Sequence, residues 1–106
     1  MSRARLDEAW ARSPGVTVRR LRERCVLVRL VDGGVDLDDA LDLNRVAAFI
    51  WDELDGTRRV ASIVDAVVER FEVERGRAEA DALELLDALR ARGAVVPSLT
   101  GRRSGE

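Results

Sequence analysis

The chain has no histidine, no lysine and no tyrosine, and only one cysteine and two prolines in 106 residues. Each shortage narrows the chemistry. Without histidine there is neither the commonest general base nor the commonest transition-metal ligand. One cysteine, Cys25, cannot form an intramolecular disulfide, which fits a reducing, cytoplasmic setting. Aromatic residues make up 4% of the chain, so aliphatic side chains must supply most of the core. Every basic residue is arginine. With the abundance of alanine, valine and leucine, this reads as GC-rich codon usage and is given no functional weight. No apolar run approaches the roughly 20 residues that a membrane-spanning helix needs. Arg3 and Arg5 are followed by Asp7 and Glu8 rather than by an apolar stretch, so no signal peptide is expected. A general basic footprint is also missing. The net charge is -2 and the pI ≈ 5.3, which argues against a general nucleic-acid binder while leaving room for a local arginine cluster.

What is present is 46% hydrophobic and 36% charged, a balance that folds and stays in solution, at a length suited to one domain with one modest core. Val16 to Leu21 and Cys25 to Leu30 are rich in β-branched residues and alternate in polarity, which predicts two strands with a turn at Arg22-Glu23-Arg24. Asp32-Gly33-Gly34 is a strong turn signal. A third strand is expected to end at Ala40 to Leu43, with Leu37, Leu41 and Leu43 on one face. Asn44 is a suitable N-cap for a first helix over about 45–54, whose stripe is Val46, Phe49, Ile50 and Leu54. A second helix over about 60–71 carries Ile63, Val64, Val67, Val68 and Phe71 at core-facing spacing, with Arg59 as a poor cap. A third over about 75–92 ends at Gly93. Its apolar face comprises Ala78, Ala82, Leu85, Leu86 and Leu89, broad enough for one flank, Leu85 with Ala88 or else Leu83, to line a groove. Ala94 to Val96 reads as a short extended piece. Leu6, Ala9 and Trp10 lie at helical spacing before Pro14-Gly15, as a short helix or a frayed end. The expected organisation is an N-terminal extension over 1–13, a domain over 14–96 and a disordered tail over 97–106. The class is α+β and winged helix-turn-helix-like: a three-stranded antiparallel sheet followed by a three-helix bundle.

Little in this pattern carries chemistry. Cys25 sits within a strand with no histidine to activate it, so it is read as a small core residue. Asp32, Asp36, Asp38, Asp39 and Asp42 are dense enough to suggest calcium. They lack the spacing and terminal glutamate of an EF-hand, and a solvated hairpin accounts for them. Gly33-Gly34 lacks the length and the lysine of a phosphate loop. No catalytic residue, metal site or cofactor is expected.

The ordered set "CVLVRLVDGG", "ALDLN", "AAFIWDELDGTR", "ASIVDAVVERFEV" and "AEADALELLDALRARG" resembles the PqqD-like family, also called RiPP recognition elements. The best motif is Leu43-Asn44, Trp51 and Leu54-Asp55-Gly56-Thr57, with Leu89 to Gly93 closing helix 3. Arg59 stands where the family usually has Ser or Thr, and "VDLDDALD" is more acidic than usual. The resemblance implies a non-catalytic peptide chaperone. It would bind the leader of a ribosomally made precursor as an added strand and present it to a radical SAM enzyme, cyclase or leader protease. Carried over by position, the peptide site is Ala40, Leu41, Asp42 and Leu43 on the strand, with Asp81, Leu85, Ala88, Leu89 and Arg92 on helix 3. The acidic edge favours a leader carrying Arg or Lys. The same helix order occurs in winged-helix DNA-binding regulators. Glu79, Asp81, Glu84 and Asp87 outweigh Arg90 and Arg92 on helix 3 and speak against that alternative.

Overall fold

The computed structural model describes residues 6–22 and 24–98. Among the described residues it is an α+β fold with two antiparallel sheets and three helices of more than one turn. Six strands, rather than three, are present: β1 (Ala9–Arg12), β2 (Val16–Leu21), β3 (Arg24–Val31), β4 (Gly34–Leu43), β5 (Asp55–Arg59) and β6 (Val95–Pro97). The helices are α1 (Arg45–Glu53), α2 (Val60–Phe71) and α3 (Arg75–Ala91). Strand β5 lies between α1 and α2, so the expected order of a sheet followed by a helical bundle is corrected to an interleaved one.

The first sheet is the meander β2-β3-β4, and β4 forms one of its edges. Val26, Leu27 and Val28 are buried on its central strand. Its β3-β4 register jumps: Leu27 faces Leu41, but Arg29 faces Asp36. The extra residues of β4 bulge out between these pairs, and the period-two alternation breaks there. Leu37 is therefore not on the core face with Leu41 and Leu43, as the alternation predicts. It is 67% exposed, whereas Leu43 is buried.

The second sheet, β5-β1-β6, replaces the expected helix or frayed end around Trp10. Short strands gain stability when paired on both sides. Here Ala9 faces Arg59, and Trp10, Ala11 and Arg12 face Pro97, Val96 and Val95. Pro97 is tolerated because β6 is an edge strand. Ala9 and Trp10 are buried, and Trp10 Nε1 donates to Glu8 Oε1 at 3.2 Å. Residues placed outside the domain by the sequence thus belong to its sheets at Ala9–Arg12 and at Pro97. Ser98 continues the seam, its N–H donating to Ala9 O. The rest of the expected tail, residues 99–106, lies outside the described residues, as does Glu23 of the expected turn.

The helices end where local chemistry stops them. Asn44 Oδ1 accepts from Ala47 N at 2.8 Å and caps α1. Helix α2 starts at Arg59 without a side-chain cap; Val60 N–H instead donates to Glu8 O at 2.9 Å. After α3, Gly93 takes a φ of +67°, its N–H donates to Arg90 O, and Ala94 N–H donates to Leu89 O. This paired arrangement satisfies carbonyls that the last turn leaves open, and only glycine adopts it without strain. A single core joins both sheets and all three helices. Leu54, Ile63, Val64, Val67 and Leu89 are at most 2% exposed, with Trp10, Trp51, Leu27 and Leu43 packed around them. No helix among the described residues is long and apolar enough to cross a membrane.

Candidate functional site

Helix α3 carries two adjacent stripes. Ala78, Ala82, Leu86 and Leu89 are buried and face the core. Arg77, Asp81, Glu84, Leu85 and Ala88 recur at spacings of four, seven, eight and eleven residues, which places them along one neighbouring face. That second stripe forms one wall of an open groove of about 490 Å³. The opposite wall is the end of β4, at Leu41, Asp42 and Leu43. Val46, Ala47 and Ile50 of α1 supply the floor between them.

The geometry follows from Asn44. Its cap turns the chain directly from β4 into α1, so the strand end and the first turns of the helix meet at a corner. Burial of Ile50 and Trp51 anchors α1 to the core and leaves the half-buried Val46 and Ala47 towards the groove. Arg12 of β1 fixes the other end of α1. It donates to Trp51 O at 3.0 Å and to Asp52 O at 2.9 Å, and its guanidinium lies 6.0 Å from the Trp51 ring centre. A cation there complements the negative end of the helix dipole, which α1 itself leaves without a basic residue.

Strand β4 has β3 on one side and no strand on the other among the described residues. Alternate residues of an edge strand direct N–H and C=O groups away from the sheet, where an extended chain can pair with them. The groove therefore combines an unpaired backbone edge with an apolar floor. Its charge is acidic. Asp42, Asp81 and Glu84 line it against one arginine, Arg77. Arg77 lies 3.4 Å from Asp81, and Arg24 lies 2.7 Å from Asp42. Both pairs are largely exposed and are worth little individually. Glu84 has no ion-pair partner among the described residues.

The structure brings Leu41, Asp42, Leu43, Asp81, Leu85 and Ala88 into this groove. It does not bring the other three expected residues there. Ala40 lies on β4 next to the bulge, off the lining. Leu89 is fully buried in the core. Four residues advance a helix about 40° beyond a full turn, which carries Leu89 from the Leu85 flank to the core stripe. Arg92 follows the end of α3, where its carbonyl accepts from Arg29 and its Nη1 reaches Ala88 O at 3.4 Å. It lines a small recess with Val16 and Leu27 instead. The expected set lacks Asn44, Val46, Ala47, Ile50, Val73, Arg77 and Glu84. The last two share a helical face with Asp81 and Leu85, which the family resemblance had supplied.

Among the described residues no three of the Asp, Glu and Cys side chains group as a metal site. Cys25 is half-buried on β3, with Arg20 Nη1 at 3.6 Å from its sulfur.

The family description of coenzyme PQQ synthesis protein D, PqqD, matches residues 24–95. The chain belongs to the PqqD family. The matched span contains all three helices, the β2-facing strand β3, and β4 with its groove. Two solved structures resemble this PqqD-family chain. TbiB1 in complex with the TbiA(beta) leader peptide is 27% identical with a TM-score of 0.62, covering 80% of this chain and 93% of that one. Lasso peptide synthetase B1 complexed with the leader peptide is 26% identical with a TM-score of 0.65, covering 83% and 98%. No match is found among curated proteins. Strand β1 lies outside the PqqD match, yet it pairs with β5 inside it.

Proposed function

We propose that this PqqD-family protein is a non-catalytic peptide chaperone. It binds the leader of a ribosomally synthesised precursor along the outer edge of β4, and side chains of the leader enter the groove against α1 and α3. It then presents the precursor to a modifying enzyme or leader protease. The observation that carries the reading is the coincidence of a free strand edge and an apolar-floored groove in one place. Both structural neighbours were solved with leader peptides bound, which supports the same role here. We also read the β2-β4 meander and the three helices as a winged-helix-like arrangement adapted to peptides.

Strand addition suits a disordered ligand. Backbone hydrogen bonds supply affinity and alternate side chains supply specificity. Ordering the leader costs about 2–5 kcal/mol, so moderate affinity is enough and release remains fast. The acidic lining favours a leader with Arg or Lys near its groove-facing positions. The same carboxylates on the exposed side of α3 oppose a DNA-binding reading, because that helix would meet phosphates with Asp81 and Glu84. The test is titration of the ¹⁵N-labelled protein with the leader of a precursor from the same gene cluster. Amide shifts should concentrate at Leu41 to Leu43, Val46, Ala47, Leu85 and Ala88. Shifts confined to other elements, or no binding, would defeat the proposal.

A further inference from the structure

A second concave surface lies on the opposite flank of α1 and has the opposite charge. It is an open cavity of about 570 Å³ that shares only Leu43 and Asn44 with the groove. Five arginines line it, Arg20, Arg22, Arg24, Arg45 and Arg70, against one carboxylate, Asp52. In a chain of net charge -2, this is a strong local segregation. Arg20 is paired with Asp52 at 3.0 Å, and Arg24 with Asp42 at 2.7 Å. Arg22, Arg45 and Arg70 have no carboxylate partner among the described residues.

The arrangement is built rather than scattered. Phe49 of α1 and Phe71 of α2 meet edge to face, with ring centres 5.6 Å apart. Arg70 stands 5.4 Å from the Phe49 ring centre and 5.8 Å from that of Phe71, and Arg45 stands 5.8 Å from Phe71. A guanidinium held over an aromatic face keeps its in-plane N–H donors free, and those donors match a carboxylate two at a time. Both rings are half-buried, so an apolar side chain of a ligand can also rest on them.

We infer that this cavity docks an acidic segment of a partner protein, with its carboxylates on Arg22, Arg45 and Arg70 and an apolar anchor on the Phe49–Phe71 pair. A peptide is favoured over a nucleic acid because the positive surface is short. Glu69 and Glu72 adjoin Arg70 and Phe71 in sequence and Asp42 pairs with Arg24, so carboxylates interrupt the positive charge that a continuous phosphate backbone needs. The inference goes beyond leader binding and does not depend on it. The shared corner at Leu43 and Asn44 would set the two bound segments side by side.

The test uses a fluorescein-labelled decapeptide of glutamates with one central phenylalanine as probe. The same peptide with glutamine in place of glutamate, and a decamer of thymidylate, serve as comparison ligands. Anisotropy and amide shifts are read on the wild-type protein and on Arg45→Gln/Arg70→Gln, with a thermal melt to verify folding. The acidic peptide should bind, should shift Cys25, Arg45, Phe49 and Phe71, and should weaken with added salt. The double variant should weaken it by about tenfold. Absence of binding at about 1 mM probe, shifts located in the β4-α3 groove, equal binding by the glutamine peptide, tighter binding by thymidylate, or unchanged affinity in a folded double variant would overturn the inference. Leader binding in the acidic groove is measured separately with Ala88→Arg, so failure of one site is distinguishable from failure of the other.

Discussion

Replacing Arg12 by methionine should destabilise the protein more than loss of an exposed arginine ordinarily does, although Arg12 is itself exposed. Methionine keeps most of the stem and removes the guanidinium. The Trp51 and Asp52 carbonyls lie in the last turn of α1, where helical donors run out; Trp51 O accepts only the C-cap N–H of Leu54, at 3.2 Å, before Arg12 is counted. Arg12 answers both, at 3.0 and 2.9 Å, from a strand about 40 residues earlier in the chain. Charge-assisted hydrogen bonds are worth about 1.5–3 kcal/mol when dry. This site is partly open to water, so the two bonds and the dipole contribution together are taken as about 1–2 kcal/mol. A domain of this size loses about 4–8 °C of Tm per kcal/mol, giving a drop of roughly 5–15 °C. Far-ultraviolet circular dichroism and tryptophan fluorescence would follow the melt, since Trp10 and Trp51 are both buried. Arg12→Lys retains the charge but not the fork, and should lose about half as much. Arg19, exposed on β2, is the control, and Arg19→Met should stay within about 0.5 kcal/mol. If Arg12→Met were as mild as Arg19→Met, β1 would not be bracing the far end of α1.

Four further outcomes follow from particular features. Leu37→Ser should leave stability within about 0.5 kcal/mol, while Leu43→Ala costs about 2–4 kcal/mol by urea melt, because the β4 bulge puts only Leu43 in the core. Gly56 has a φ of +88°, and an added Cβ would lie 3.3 Å from Ala11 Cβ and Ser98 Oγ, so Gly56→Ala should cost about 1–3 kcal/mol in the same assay. Gly76→Ala, on the open first turn of α3, should instead stabilise by about 0.5–1 kcal/mol. The Asp55 carboxyl is held below its ordinary value of 3.8, first by the Thr57 backbone N–H and then by the Thr57 hydroxyl and the Arg58 N–H. A depressed pKa contributes stability that is complete above the ordinary value and is lost as pH falls through the folded value. Asp55→Asn should therefore be the less stable protein at neutral pH, with the difference shrinking below 3.8 in urea melts across pH.

The helices were legible in the sequence because their information is local. Asn44 and Gly93 mark their ends, and the repeat of Ile63, Val64, Val67 and Phe71 is a helical period; the observed limits fall within a residue of those expected. The β2-β3 hairpin was legible for the same reason. The second sheet was not. Its strands are three to five residues long, and each pairs with residues far away in sequence, such as Trp10 with Pro97. No periodicity within four residues signals such a partner, and Trp10 fitted a helical spacing equally well. The candidate site was legible in part. The corner from β4 into α1 follows from Asn44, whereas the Asp81, Leu85, Ala88 flank was implied by the family resemblance. Leu89 was lost to the core by a 40° rotation, Ala40 by the bulge, and Arg92 because the helix had already ended.

The central claim is that β4 accepts a further strand. The most direct measurement is the set of nuclear Overhauser contacts between an isotope-labelled leader peptide and the protein. Backbone contacts running from leader residues to Leu41, Asp42 and Leu43 in an alternating, strand-like order are predicted, together with side-chain contacts to Val46, Leu85 and Ala88. Ala88→Arg, which fills the groove with a residue that helices accept readily, should weaken binding at least about tenfold without unfolding the protein. A leader that binds with no backbone contacts to Leu41–Leu43, or that is indifferent to Ala88→Arg, would contradict the account.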